Sequence, residues 1–276
     1  MTRTFESGPA RRERTPIAIG IVGPSGSGKT KSALRLADGM ARVGGGDTWL
    51  VDTNNRRSLH HAPDHKFTAL HMPPPYSPSD YGAAFQHAID GGARRIVVDS
   101  ISDEWEGEGG VLDMHSAELD RRSKGRDDDR DRNNMAAWIG PKREHNRLRL
   151  WMFQQPIDWI LTFRAKEKIK PVKGKQPEDM GWQPLGADDL VYELLLKCLL
   201  RPQCDGKPVW TSDVLHERAL IKLPGWFRDI FTNGPQLSED IGEQLARWAA
   251  GGDVVVTPGI AERFDACATP EDFKLV

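Results

Sequence analysis

Only three cysteines, Cys198, Cys204 and Cys267, occur in 276 residues, and no two form a C-x-x-C pair. So small and odd a set excludes a disulfide scaffold and a cysteine-based zinc site. The eight histidines, His60, His61 and His65 among them, lack the spacing to Cys or Glu that a metal cluster needs. No apolar run approaches the ~20 residues of a membrane span. The first fifteen residues hold no apolar stretch of the secretory kind. The expectation is therefore a reduced, cytoplasmic protein with no membrane partner. Neither sign of charge dominates, because 38 Lys+Arg stand against 40 Asp+Glu. That balance excludes a globally basic nucleic-acid binder but not a local basic groove. There is no internal repeat, and spacing alone supports no Ser-His-Asp triad.

Core-forming material is ample. Hydrophobic residues make up 38% and charged residues 28%, enough for one large domain or two small ones. Residues 1–15 read as a frayed, Arg-rich leader. Residues 16–22 are a short, β-branched apolar run of the kind that forms a strand buried on both faces. A Gly-rich turn leads into a helix over 29–43, with Ala33, Leu36, Ala37 and Met40 at helical spacing. Gly44-Gly45-Gly46 ends that helix before a second strand at 48–52. Further helices are expected near 80–89 and 142–153, with strands at 95–99 and 158–163. This alternation predicts an α/β fold with a mostly parallel sheet flanked by helices. Beyond about Leu185, residues 190–200 suit strand or helix, and 208–211 and 219–223 suit short strands. Ser238 starts a helix that Gly251-Gly252 stops. The division is a leader 1–15, a core 16–250 with a small C-terminal β/helical extension, and a helical tail 251–276.

Gly23-Pro24-Ser25-Gly26-Ser27-Gly28-Lys29-Thr30 fits G-x-x-x-x-G-K-[ST] without a mismatch, between a buried strand and an amphipathic helix. Glycines allow successive main-chain N–H groups to curl around phosphates, and the helix N-terminus adds positive potential. Lys29 then reaches the outer phosphates of a nucleotide such as ATP, and the Thr30 hydroxyl ligates Mg2+. The matching carboxylate belongs at the tip of another buried strand. Asp99, after Ile96-Val97-Val98, is preferred to Asp52, which also suits a cap.

Asp99-Ser100-Ile101-Ser102-Asp103-Glu104-Trp105-Glu106-Gly107-Glu108-Gly109-Gly110 resembles the metal-binding segment of phage-encoded, RecA-like ATPases of the single-strand-annealing recombination type. The runs 138–146 and 160–168 resemble that family's following blocks, and the resemblance covers about 17–250. It implies a RecA-like P-loop NTPase core whose loops after the third and fourth strands face DNA. It places Arg164 where the terminal phosphate is sensed, and Lys222 where a cation projects onto a neighbour's nucleotide. That last role requires a ring or filament of like chains. The family's water-activating glutamate falls on Asn54, an amide that orients water but does not take its proton. Glu106, or Glu104, is then the candidate base.

Residues 164–175 contain six basic side chains, Arg164, Lys166, Lys168, Lys170, Lys173 and Lys175, against Glu167 alone. Pro171 and Gly174 oppose a regular helix, so the segment reads as a flexible cationic loop for phosphates, with a solvated Lys-rich loop as the plain alternative. Trp182 suits base stacking or a core role. Residues 119–132, six basic and five acidic, read as a mobile polyampholyte. The favoured reading is a magnesium-dependent ATPase acting on single-stranded DNA, with a separate annealing or single-strand-binding protein as a further partner. A nucleotide-gated binding module with little hydrolysis, and a P-loop kinase for a small molecule or nucleotide, are the alternatives.

Overall fold

The computed structural model describes residues 12–124, 126–171 and 176–251, with main chain alone at Asp127. The expected tail and most of the leader therefore lie outside the described residues, as do Lys173 and Lys175. Among the described residues seven strands form one sheet: β1 (Ala18–Gly23), β2 (Asp47–Asp52), β3 (Thr68–His71), β4 (Ala93–Asp99), β5 (Asp158–Lys170), β6 (Glu178–Pro184) and β7 (Leu196–Leu199). Their order is β3-β2-β4-β5-β1-β7, every neighbouring pair along it parallel, while β6 adds antiparallel to β5.

Alternation of side chains feeds two cores. Ile96, Val98, Trp159, Leu161 and Phe163 face one side, with Tyr81 and Phe85 of α2 (Pro78–Asp90). Ile19, Ile21, Leu50, Val97 and Ile160 face the other, with Leu36 and Met40 of α1 (Lys29–Gly44). A sheet covered on both faces is what near-continuous apolar strands require. Between β4 and β5 lie α3 (Ser102–Glu106), α4 (Val111–Ser123), α5 (Arg130–Ala137) and α6 (Ile139–Met152). Beyond β6 come α7 (Asp188–Glu193) and α8 (Glu239–Ala249), the latter capped by the Ser238 hydroxyl.

Several expectations are corrected. Residues 119–132 are not one mobile loop: they hold the end of α4, a 3-10 turn at Asp127–Asp129 and the start of α5. Ion pairs at helical spacing, Glu118 with Arg121 and Arg122, and Asp129 with Arg126, organise the mixed charges. Residues 164–170 are not a flexible loop either, because they extend β5 and pair with β6 from Ala165↔Pro184 to Lys170↔Glu178. The edge strand β3 was missed, being only four residues long and partly exposed. The 208–211 and 219–223 strands reduce to single bridges, Leu199↔Val209 and Lys197↔Lys222. Residues 190–200 are helix and then strand. At the leader's end, Arg12 donates to the Trp248 carbonyl, Arg14 pairs with Asp158, and Thr15 N–H donates to the Ala249 carbonyl. Residues 12–15 are therefore fastened rather than frayed.

Helix α8 lies against α1 through two glycines. A Cβ on Gly39 would sit 1.7 Å from the Glu239 carbonyl oxygen, and one on Gly242 would sit 2.1 Å from that of Leu36. Arg35 with Glu239, and Arg42 with Asp240, flank this contact. Gly39→Ala is expected to cost about 2–3 kcal/mol in urea unfolding, because main chain rather than a flexible side chain must give way. That outweighs alanine's helix-propensity gain of ~1 kcal/mol. Gly44→Ala, which meets only the Arg95 guanidinium at 3.6 Å, is the control expected to be tolerated.

Candidate phosphate-binding site at the strand ends

The turn after β1 is shaped by glycine at the places where a side chain would fail. Gly26 and Gly28 have φ of 77° and 85°, the left-handed region that glycine enters freely. At Gly23 a Cβ would lie 2.5 Å from the Leu200 carbonyl oxygen and 2.6 Å from Ser27 Oγ. Gly28 caps α1 without a side-chain acceptor, and the helix's first turn holds no acid. Its N–H groups and dipole therefore present positive potential to the turn. Ser27 Oγ and Lys29 Nζ both donate to the Pro24 carbonyl, at 2.9 and 2.7 Å. Lys29 is buried, which lowers its pKa, helped by Arg164 and partly opposed by Asp99.

Strands β4 and β5 bring the remaining groups. Asp99 ends β4, buried, and accepts from the Thr30 hydroxyl at 2.5 Å and the Thr162 hydroxyl at 2.6 Å. Strand β5 lies between β4 and β1, so Thr162 and Arg164 fall between the Gly-rich turn and Asp99. Arg164 sits level with Gly23 in the sheet and pairs with Asp103 of α3. Asp103 also accepts from Thr53 Oγ1 at 2.7 Å. A cavity of about 500 Å³ is lined by Lys29, Thr30, Asn54, Asp99 and Arg164, with Arg57, Ser58, His60 and His61. Burial, first, and neighbouring His65 and Lys31 lower the His61 pKa. On the far side of Gly26–Gly28 a second cavity, about 390 Å³, is lined by Lys31, Arg35, Gln203 and Asp205.

Ser25, Gly26, Gly28, Lys29, Thr30, Asp99 and Arg164 thus line one cavity, with Gly23 and Ser27 forming the base of the turn. Asp52 does something different. It accepts from the N–H groups of Asn54 and Ser58, and from the Ser58 hydroxyl, so it shapes the following turn. Asn54 donates its amide to the Asp99 carbonyl at 3.2 Å.

Comparison with protein-family models and with curated proteins finds no match.

Neither candidate base is brought to this cavity. Glu106 closes α3, half-buried, and does not line it. Glu104 is buried against His145 Nδ1 at 2.9 Å, and His145 Nε2 meets Asp189 at 3.1 Å. Burial pulls the His145 pKa down, but Glu104 and Asp189 together outweigh it and the net shift is upward. Lys222 is exposed and donates to the Leu194 carbonyl of its own chain at 2.8 Å. Lys166, Lys168 and Lys170 are exposed along the ribbon of β5 and β6. Trp182 packs against the core. Sequence reading missed the Thr53–Asp103–Arg164 link, for which Asp103's place four residues after Asp99 was the available signal.

The donor set suits a hard divalent cation: one hydroxyl and one carboxylate, 2.5 Å apart, beside a cradle of main-chain N–H groups. Among the described residues no three His, Cys, Asp or Glu converge as metal ligands. Magnesium would then take its other oxygens from phosphate and water, as it commonly does. Among the described residues no helix is long and apolar enough to cross a membrane.

Proposed function

We propose that this chain binds and hydrolyses ATP with Mg2+ as a RecA-like P-loop protein, and acts with single-stranded DNA in recombination or annealing. The observation that carries the reading is the meeting of Lys29, Thr30 and Asp99 at the Gly-rich turn between a buried strand and a helix. When bound, magnesium would neutralise phosphate oxygens. Thr30 and Asp99 are the residues that would hold it, directly or through water. Lys29 exchanges the Pro24 carbonyl for the outer phosphates, and burial makes its charge count for more there. Arg164, already poised beside the turn, adds positive charge where the terminal phosphate ends.

Asn54 orients water without accepting a proton, and Asp99 is the one carboxylate lining the cavity among the described residues. Intrinsic turnover is therefore slow. The same observation favours a second reading, a nucleotide-gated binding module with negligible hydrolysis. A trans role for Lys222 in a ring or filament requires it to leave the Leu194 carbonyl.

Phosphate release with and without oligo(dT), together with mass in solution with ATP, tests these readings. Release that rises with oligo(dT), with growth in mass, is the expected result. Tight ATP binding without release selects the gated module. Transfer to an acceptor selects a kinase, and absence of ATP binding removes the proposal.

A further inference from the structure

We propose that Asp103 is a positioning residue that competes with the terminal phosphate of a nucleotide for the Arg164 guanidinium, so that a triphosphate binds against the breaking of an ion pair and a diphosphate does not. This rests on the ATP reading above and adds to it the residue that separates triphosphate from diphosphate.

The run Glu106-Gly107-Glu108-Gly109-Gly110 helps to keep Asp103 in place. A Cβ on Gly107 would lie 2.6 Å from the Asp103 carbonyl oxygen, and one on Gly110 would lie 2.8 Å from the same atom. Glycine alone lets this segment close so tightly over α3. The carboxylate is fixed from the other side. Thr53 Oγ1 accepts from the Ser100 N–H at 2.9 Å and donates to Asp103 Oδ2 at 2.7 Å. One carboxylate oxygen is thereby tied to the residue after β2, and Oδ1 is left for Arg164.

Arg164 is free at its tip alone. Its N–H donates to Ser102 Oγ at 2.9 Å and its carbonyl accepts from the Leu185 N–H at 2.7 Å, so its main chain is held. Its side chain is 36% exposed against 10% for Asp103, and it lines the nucleotide cavity, which Asp103 does not. Of the two partners, Arg164 is therefore the one that moves. The pair joins Nη2 to Oδ1, without the two parallel bonds that make arginine–carboxylate pairs strong. The Arg164 Nε–H is buried and has no acceptor among the described residues. A guanidinium held at one point, with a donor unpaired, gives up its acceptor readily.

Charge sets the direction of the exchange. Lys29 and Arg164 both face the cavity, and Arg164 is one of the causes that lower the Lys29 pKa. Without a phosphate, Asp103 neutralises the arginine. A terminal phosphate carries more charge than a carboxylate and meets both cations at once, so it takes the guanidinium. A diphosphate ends short of Arg164 and leaves the pair intact. When Arg164 leaves, the Asp103 carboxylate stays nearly buried with Thr53 as its remaining side-chain partner, which is unfavourable. Triphosphate binding is weakened by that amount, and removal of the Asp103 charge restores it.

Titration of the intact protein with a fluorescent ADP and a fluorescent, non-hydrolysable ATP analogue, both with Mg2+, tests the competition. Asp103→Asn keeps the shape and an acceptor for Thr53. It is expected to tighten the ATP analogue by roughly 3–30-fold, the range of a single charge-assisted hydrogen bond, and to leave ADP near the parent value. A merely structural role would move both nucleotides together. Arg164→Ala is expected to weaken the ATP analogue alone. Adding Asp103→Asn to it should then change nothing, because the competition needs both partners. A second readout needs no Asp103 variant: the Arg164 Nε resonance, identified by its loss in Arg164→Ala, should shift with the ATP analogue and not with ADP. Four results overturn the proposal and leave the ATP reading standing: no tightening in Asp103→Asn, equal tightening of both nucleotides, tightening that persists without Arg164, or an equal Nε shift with both. A parent that binds neither nucleotide removes both.

Discussion

Lys29→Ala is expected to cut ATP hydrolysis by at least about a hundredfold while leaving the fold as stable as before, or more so. The loss follows from removing one preorganised positive donor from a phosphate site, which typically costs 10²–10³ in rate. The stability result follows from burial. Lys29 has a lowered pKa, chiefly because its charge is taken out of water, and only Asp99 opposes this. A lysine whose folded pKa lies below its unfolded value binds fewer protons when folded. Its penalty is fully present at neutral pH and is relieved only as pH rises through the folded pKa. Alanine removes that penalty together with the charge. Phosphate release and a thermal melt on one preparation therefore move in different directions. Retained hydrolysis would remove the nucleotide assignment, whereas a collapsed melting curve would mean that Lys29 holds the turn through Pro24.

Asp99→Asn is expected to raise the magnesium needed for half-maximal hydrolysis by about 10–100-fold, in line with the loss of a group that holds or orients a metal ligand. Asparagine keeps the shape. Its carbonyl still accepts from Thr162, and its amide donates to the Thr30 hydroxyl, so the fold persists. The negative charge alone disappears. Lys29 then loses the negative charge that opposes the effect of its burial, and its pKa falls further. Asp99→Ala is the harsher change, because Thr162 is fully buried and its hydroxyl loses its partner. That costs about 1–3 kcal/mol in stability. A magnesium titration of phosphate release separates the two variants. An unchanged requirement in Asp99→Asn would sink the metal role of this carboxylate.

What could be read from sequence was local. The strand-turn-helix around Gly23–Thr30 is legible because glycines, an apolar run and a helical period lie within a few turns of one another. Asp99 was legible because it ends an aliphatic run, and α8 because Ser238 caps it. Several of the misses involve partners far apart in the chain. Arg164 meets Asp103 across 61 residues, and His145 meets Glu104 and Asp189 across 41 and 44. No periodicity marks such pairs. The ribbon was misread as a loop because a lysine-rich run resists pairing until β6 supplies its hydrogen bonds. Residues 119–132 were misread because their composition is that of a solvated segment, while their charge spacing is that of a helix.

Helix α3 is five residues long, and three successive side chains on it have three different correspondents. Asp103 holds Arg164 and Thr53 beside the Gly-rich turn, Glu104 holds His145, and Trp105 lies parallel to Trp138. So short a rod cannot tilt at one end and stay still at the other. A shift of Asp103 is therefore passed along the helix to Trp105, two residues on, and to the ring that lies parallel to it.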